Sequence, residues 1–215
     1  MQQVFLSGAT GYVGRALVAK LIARGHKPRV LARAGSETKV PAGAEIVPGN
    51  PLDPATFVSA VSAADIFVQL TGVAHPAPWK EQAFRAIDLV SVRASAEVAK
   101  AAGVRHFVYV SVAQPAPVMK AYIRVRQEGE AILKTLGLTT TILRPWYILG
   151  PGHRWPAAMV PLYALLEAIP ATREGARRMG LITLEQMVSA IVWAIENPPT
   201  ESRILDVPAI RAISA

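Results

Sequence analysis

The sequence predicts an α/β fold with a doubly wound parallel sheet, and three observations support this. Short apolar runs alternate with longer segments whose apolar residues recur every three or four positions, as expected for strands alternating with helices. A glycine-rich stretch directly follows the first apolar run. The chain has 215 residues, of which 52% are hydrophobic and 18% charged, so it can build one sizeable core.

The first third of the chain begins this alternation. An apolar run predicts a strand at Gln2–Ser7. A helix follows, because Val13, Leu17 and Leu21 fall on one stripe, and Gly25 suits the position after its end. Further strands are predicted at Arg29–Ala32, Ala44–Val47 and Asp65–Leu70. The last of these runs is apolar enough to be buried on both faces of a sheet.

The alternation continues through the middle of the chain. The predicted elements are a helix at Lys80–Ala102, a strand at His106–Val112, a helix at Met119–Leu136 and a strand at Thr139–Leu143. Each of these helices stops at a glycine. A last helix begins at the capping box T-L-E-Q of residues 183–186 and ends at N-P-P of residues 197–199, before a strand at Arg203–Val207.

Prolines interrupt the chain after Gly150, and the helical pieces there are short. We therefore expect one compact unit with two parts, a main domain at residues 1–150 and a small C-terminal substrate lobe at residues 151–215. Ligands bind at the carboxyl edge of such sheets, and we expect the lobe to cover that edge.

The stretch S-G-A-T-G-Y-V-G at residues 7–14 lies between the first strand and the first helix. Glycines allow the backbone to approach a pyrophosphate, and a helix N-terminus attracts an anion. This context predicts a Rossmann-like dinucleotide-binding domain, the alternative being a glycine turn needed only for packing. The residues predicted to bind the cofactor here are Gly8, Thr10, Gly11, Tyr12, Val13 and Gly14.

The end of the second strand selects between NADP and NAD. An acidic residue there would bind the ribose hydroxyls of NAD, but this chain has Arg33. A guanidinium suits a 2′-phosphate, so we predict NADP as the cofactor rather than NAD. The alternative is that Arg33 is a solvated loop residue and that Glu37 reaches the ribose.

Composition excludes several other classes of site. The chain has no cysteine, which removes disulfides, thiolate metal sites and a cysteine nucleophile, and its four histidines lack metal-ligand spacing, so no metal is predicted. The net charge of +8 raises the possibility of nucleic acid, but the basic residues are dispersed, so a small-molecule partner is expected instead. No leader or membrane span is visible, and we expect a cytoplasmic protein.

Four landmarks together resemble the short-chain dehydrogenase/reductase superfamily, specifically its atypical and extended members, the NmrA-like and epimerase/dehydratase-like NAD(P)-binding proteins. They are G-A-T-G-Y-V-G at 8–14, G-N-P-L-D at 49–53, A-A-G-V-R-H-F-V-Y-V-S at 101–111 and L-R-P at 143–145. The resemblance covers Gln2 to about Gly152 well and extends more loosely to Pro199.

The resemblance implies further cofactor contacts. In such proteins the residue at Asn50 is usually Asp and touches the adenine amino group, and the loop after the fourth strand lines the ribose. In the same proteins, the stretch that corresponds to residues 143–147 lies beside the nicotinamide. The implied cofactor residues are Asn50, Leu52, Thr71, Gly72, Val73 and Pro145. Asp88 stands where active relatives often carry a structural Asn.

The resemblance also implies a catalytic set of Ser, Tyr and Lys, with the Lys four residues after the Tyr. The corresponding residues are Ser111, Tyr122 and Arg126, so an arginine replaces the lysine. Arginine can stabilise a tyrosinate but cannot shuttle a proton. Two interpretations follow: a modified triad with an electrostatic Arg126, or a dinucleotide-binding protein in which Tyr122 only packs.

The predicted function is an NADP-binding oxidoreductase that transfers hydride to a carbonyl-type small molecule, acting as a monomer or homodimer. The alternative is a non-catalytic NAD(P)-sensing regulator or assembly factor. Candidate substrate residues are Trp146, Tyr147 and His153, which suit a mostly apolar pocket, although the tryptophan could equally belong to the core.

Overall fold

A computed structural model describes residues 1–152 and 160–213 and contains a central sheet of seven parallel strands. Its order is β3-β2-β1-β4-β5-β6-β9. The strands are β1 Gln3–Ser7, β2 Lys27–Ala32, β3 Glu45–Pro48, β4 Ile66–Gln69, β5 His106–Val110, β6 Thr140–Leu143 and β9 Arg203–Leu205. A separate parallel pair joins β7 Tyr147–Leu149 to β8 Leu181–Thr183. The predicted doubly wound parallel sheet is confirmed.

Helices cover both faces of this sheet. They are α1 Tyr12–Ala23, α2 Val58–Val61, α3 Glu81–Ala83, α4 Val90–Ala101, α5 Lys120–Thr135, α6 Val160–Ala168, α7 Pro170–Arg178, α8 Leu184–Glu196 and α9 Val207–Ile213. A π-helical stretch, Phe84–Leu89, connects α3 to α4. The predicted helix over 80–102 therefore exists but contains a wide turn.

Strand residues alternate between two cores, one on each face of the sheet. Val4 and Leu6 face the core that α1, α8 and α9 complete. Phe5 faces the other core, where α4 and α5 pack, and its ring lies 5.2 Å from that of Phe67, which in turn stacks 5.2 Å from Phe107. Because both faces are covered, the central strands β1 and β4 are apolar between their terminal residues, as the fourth predicted strand suggested.

The last part of the chain differs from the prediction in one element. The strand predicted at Arg203–Val207 ends at Leu205, and helix α9 begins at Val207. The Asp206 carboxylate accepts a hydrogen bond from the Ala209 N–H at 3.0 Å, which caps the new helix. Strand β9 and helix α8 lie beyond the predicted boundary at residue 150, yet β9 belongs to the central sheet and α8 packs against α1.

The order of the strands reverses between β1 and β4, from which the chain winds in opposite directions. Crevices at such a switch point, beyond the carboxyl ends of the strands, are where ligands bind in this architecture. The turns after β1, β2, β3 and β4 converge there.

Candidate active site

A cleft of about 370 Å³ lies at this switch point. It is bounded by the turns after the first four strands and by Ile87 of the π-helical stretch. The predicted cofactor residues that line it are Gly8, Thr10, Gly11, Arg33, Asn50, Leu52, Thr71, Gly72 and Val73. Tyr12, Val13, Gly14 and Pro145 do not line the cleft, and Pro145 is buried.

Two of the three motif glycines are required by contacts within the protein. Gly8 has a φ of +78°, and a Cβ there would lie 2.5 Å from the Thr71 backbone nitrogen. A Cβ on Gly14 would collide with the backbone of Ala9. Gly8 therefore lets the turn after β1 touch the turn after β4, and Gly14 lets α1 pack closely, as the sequence suggested.

Helix α1 begins inside the motif with no side-chain cap. Its N-cap, Gly11, has an extended backbone, and the first turn contains no acidic residue. A twelve-residue helix of this kind presents backbone N–H groups and a partial positive charge at its N-terminus. The cleft thus has a donor surface suited to a pyrophosphate.

Two further polar groups suit a dinucleotide. Arg33 is exposed at the cleft, and within residues 1–152 and 160–213 its guanidinium makes no hydrogen bond or ion pair. The Thr71 hydroxyl is buried and lacks a hydrogen-bond partner among the described residues. A ligand carrying hydroxyl and phosphate groups would satisfy both.

Asn50, at the same cleft, is already part of a turn. Its Oδ1 accepts from the Leu52 N–H at 3.1 Å, and its own N–H donates to the Thr56 hydroxyl at 2.9 Å. The side-chain oxygen retains a second lone pair, so the contact with adenine implied by the resemblance stays a prediction.

Gln69 organises the turn after β4 and was not identified from the sequence. Its Oε1 accepts from the Ser7 hydroxyl at 3.0 Å and from the Thr71 N–H at 2.6 Å. Its Nε2 donates to the Ser91 hydroxyl at 3.0 Å. Gln69 is fully buried, and a polar residue at the end of an otherwise apolar strand was the signal that could have revealed it.

A buried ion pair lies behind the same turn. The Arg126 Nη2 donates to the Asp88 Oδ1 at 2.5 Å, with side-chain exposures of 7% and 0%. Asp88 also accepts from the Val73 N–H at 3.0 Å, and Arg126 donates to the Val110 carbonyl at 3.0 Å. A Cβ on Gly72 would collide with the Arg126 guanidinium. The pair therefore ties the turns after β4 and β5 to each other.

Burial raises the pKa of the Asp88 carboxyl, while Arg126 and the Val73 N–H oppose that shift. Burial alone would lower the pKa of Arg126, but Tyr122, Tyr109 and Asp88 raise it above its usual range. The guanidinium therefore stays cationic in the core.

Tyr122 lies next to this cation. The Arg126 guanidinium lies over the Tyr122 ring at 5.0 Å from its centroid, and the ring packs 4.9 Å from that of Phe84. Burial raises the pKa of the Tyr122 phenol, and the charge of Arg126 acts in the opposite direction. Tyr122 is consequently a neutral phenol at neutral pH.

Ser111, predicted beside Tyr122, directs its hydroxyl to Glu130. The Ser111 Oγ donates to the Glu130 Oε1 at 2.5 Å, and Gln114 donates to the same oxygen at 2.8 Å. Arg144 donates to both oxygens of Glu130, at 3.1 and 2.5 Å. The predicted catalytic residues thus come together only in part: Arg126 contacts Tyr122, whereas Ser111 contacts Glu130.

Tyr122, Arg126 and Glu130 occur at intervals of four residues on α5 and form one stripe along it. Through this stripe α5 contacts the turns after β4, β5 and β6. Glu130 was not identified from the sequence, although its spacing from Arg126 was the available signal.

A second, smaller cavity adjoins Tyr122. It is lined by Pro76, Val112, Met119, Tyr122, Trp146 and Tyr147. The structure thus brings two of the predicted substrate residues, Trp146 and Tyr147, to the predicted proton donor, while His153 lies outside the described residues.

The described part of the chain lacks two further kinds of feature. None of its helices combines the length and apolar character needed to cross a bilayer. Within the same ranges, no cluster of three or more His, Asp or Glu side chains could hold a metal ion.

Comparison with known proteins agrees with a dinucleotide-binding cleft. Residues 8–154 match a family model described as NAD(P)H-binding. Ceramide reductase from Caulobacter vibrioides (strain NA1000 / CB15N) is 27% identical over 201 residues, which cover 91% of this chain and 61% of that protein. A 3-diazoavenalumate denitrifying reductase from Streptomyces is 29% identical over 225 residues, covering 92% of this chain and 73% of that protein.

The fold also matches solved structures. UDP-N-acetylglucosamine 4-epimerase from Bacillus cereus superposes with a TM-score of 0.72 at 12% identity, covering 95% of this chain and 75% of that one. At this identity the match concerns the fold alone. The chain spans about three fifths of the length of ceramide reductase.

Proposed function

We propose, since this chain belongs to the NAD(P)H-binding family and is similar to short-chain dehydrogenases/reductases of the epimerase-like type, that it is an NADP-dependent reductase of a small carbonyl compound. Family membership makes a nicotinamide dinucleotide its cofactor. The observation that carries the proposal is that Tyr122, a half-buried and neutral phenol, lines a cavity at the carboxyl edge of the sheet that also forms the cofactor cleft.

The preference for NADP over NAD is supported by Arg33. Its side chain lines the cleft and has no partner within the described ranges, whereas Glu37 does not line the cleft. A guanidinium forms paired, charge-assisted hydrogen bonds with a phosphate. Arg33 would therefore bind the 2′-phosphate that distinguishes NADP from NAD.

When bound, the reduced nicotinamide supplies the hydride that reaches the carbonyl carbon. Tyr122 donates its phenolic proton to the carbonyl oxygen, and the product is an alcohol. Burial keeps Tyr122 protonated before the reaction, and the Arg126 cation, 5.0 Å from the ring centroid, stabilises the phenolate left behind. Arg126 thus takes over the electrostatic role of the family's lysine. Water returns a proton to the Tyr122 phenolate after the reaction.

The proposal is tested by Tyr122→Phe, with Tyr109→Phe as the matched control. Tyr109 accepts a hydrogen bond from the same arginine at 3.4 Å but does not line the cavity. Because a positioned general acid contributes roughly a hundredfold or more, we expect Tyr122→Phe to lose at least that factor in NADPH oxidation by a ketone. The affinity for NADPH stays unchanged in both variants. Equal rates in the two variants would remove Tyr122 from the mechanism.

The cofactor preference is tested by Arg33→Ala, with Arg93→Ala as the control. Arg93 is exposed on α4 and does not line the cleft. A hydrogen bond to a charged group contributes about 1.5–3 kcal/mol, so we expect NADPH to bind roughly tenfold to a hundredfold more weakly to Arg33→Ala. NADH affinity should not change. Tighter binding of NADH than of NADPH by the unmodified protein would contradict the assignment.

The non-catalytic alternative predicts a different result in the first assay. A sensor or assembly factor would bind NADPH and reduce none of the carbonyl compounds supplied. The reductase names of two relatives do not favour that alternative. The fold neighbour acts on a nucleotide sugar, so such a compound is the main competing substrate class.

A further inference from the structure

The small cavity beside Tyr122 has a composition that limits what can bind there. Its walls come from the turns after β4, β5 and β6 and from the start of α5. All six lining residues are apolar or aromatic, and among the described residues none that lines it carries a charge at neutral pH. Its hydrogen-bonding side chains are two phenols and an indole.

The aromatic walls hold one another in place. Trp146 and Tyr147 pack edge to face with their ring centroids 5.6 Å apart and an interplanar angle of 72°. Tyr122 packs against Phe84 at 4.9 Å. Such pairs add to the energy of apolar burial and fix the orientation of the rings. The cavity therefore has a preformed apolar surface.

Two arginines near the cavity are paired with carboxylates. Arg126 is paired with Asp88, and Arg144 is paired with both oxygens of Glu130. Arg178 donates to the Pro115 carbonyl at 3.1 Å. Arginine side chains, away from a helix N-terminus, are the strongest donors to the two phosphates of a nucleoside diphosphate. Of these three arginines, Arg126 and Arg144 are paired with carboxylates, whereas Arg178 donates to a backbone carbonyl and forms no ion pair among the described residues.

The volume is also restrictive. The cavity measures about 50 Å³, against about 370 Å³ for the cofactor cleft. The smaller volume is enough for a carbonyl group and its flanking carbons. A pyranose ring with its hydroxyl groups is larger and would leave those hydroxyls against apolar walls.

We propose that this cavity takes the carbonyl end of an apolar aldehyde or ketone, aryl or alkyl, and does not take a nucleotide sugar. This inference rests on the proposed function and specifies its substrate class. The carbonyl carbon accepts the hydride, the oxygen accepts the Tyr122 proton, and NADPH is oxidised to NADP⁺. The remainder of the substrate lies outside the cavity.

The inference is tested by binding rather than by turnover, using the full chain first saturated with NADPH. Titrating NADPH in the same sample tests the proposed function separately. Benzylideneacetone, a flat aryl ketone, and UDP-N-acetylglucosamine are then added in turn, and binding is followed by saturation-transfer NMR. We expect saturable binding of the ketone and none of the nucleotide sugar.

Two variants locate the binding. Trp146→Ala removes a cavity wall and should weaken ketone binding about tenfold or more. Trp79→Ala makes the same change at a side chain that is 83% exposed and does not line the cavity, and should leave binding unchanged. Unchanged NADPH affinity in both variants shows that they are folded.

Three results would overturn the inference: binding of UDP-N-acetylglucosamine, binding of neither compound, or equal weakening of ketone binding by the two variants. Each of them would leave NADPH binding intact. Failure of NADPH to bind would instead count against the proposed function.

Discussion

The buried pair of Arg126 and Asp88 predicts a large loss of stability when the arginine is removed. Arg126→Met keeps an unbranched apolar stem similar to the methylenes of arginine but deletes the guanidinium. The change leaves the Asp88 carboxylate, with no exposed side-chain surface, beside a single backbone N–H. The Val110 carbonyl also loses a donor at 3.0 Å.

Removing one partner of a buried ion pair costs about 3–5 kcal/mol, because an uncompensated charge remains in the core. The matched control is Arg85→Met, which breaks the pair between Arg85 and Glu128, whose side chains are 44% and 39% exposed. Exposed pairs contribute only about 0–1 kcal/mol. The free energy of unfolding should therefore fall several times more in Arg126→Met than in Arg85→Met.

The assay is equilibrium unfolding in urea at neutral pH, followed by circular dichroism. A double variant, Arg126→Met with Asp88→Asn, separates the charge from the packing. Since it removes the uncompensated carboxylate, we expect it to be more stable than Arg126→Met alone. The reasoning is refuted if Arg126→Met and Arg85→Met unfold at the same urea concentration, or if the double variant is the least stable of all.

Three further predictions concern other polar and glycine positions. Burial lowers the pKa of His106 to about 4. Between about pH 7 and pH 5 the unfolded chain therefore binds a proton at His106 that the folded protein does not, and the free energy of unfolding in urea should fall by about 2 kcal/mol. His106→Gln should abolish that loss. Glu130→Gln should lower the melting temperature, because it weakens charge-assisted hydrogen bonds that contribute about 1.5–3 kcal/mol. Glu128→Gln on the same helix should change the melting temperature little, because Glu128 belongs to an exposed ion pair. Equal shifts in the two variants would contradict the role of Glu130. Gly72→Ala should weaken NADPH binding in a fluorescence titration, because the new Cβ displaces the turn after β4, while Gly175→Ala, which meets nothing closer than 3.9 Å, should not.

The sheet and the cleft were predictable because local patterns determine them. Apolar runs of four to seven residues marked the strands, and the glycine spacing at 8–14 marked the turn that forms one wall of the cleft. Each of these patterns involves residues that are close together in the sequence. The short helix α9 was missed because the apolar pattern of Arg203–Val207 resembles a strand, and only the cap at Asp206 shows where the strand stops.

The polar contacts behind the site were not predictable for a different reason. Ser7 and Gln69 are 62 residues apart, Asp88 and Arg126 are 38 apart, and each pair meets only after the sheet has formed. The resemblance suggested that Ser111 acts together with Tyr122. In the structure the Ser111 hydroxyl instead donates a hydrogen bond to Glu130. No local pattern reports such partners.

The stripe on α5 has a consequence for how this protein can diversify. Side chains of Tyr122, Arg126 and Glu130 all project from this one helix toward the turns after β4, β5 and β6, so a substitution that tilts α5 shifts all three together. Trp146 and Tyr147 do not belong to α5. Under the proposed function, exchanging these two aromatic side chains would alter substrate preference while the stripe on α5 keeps its geometry.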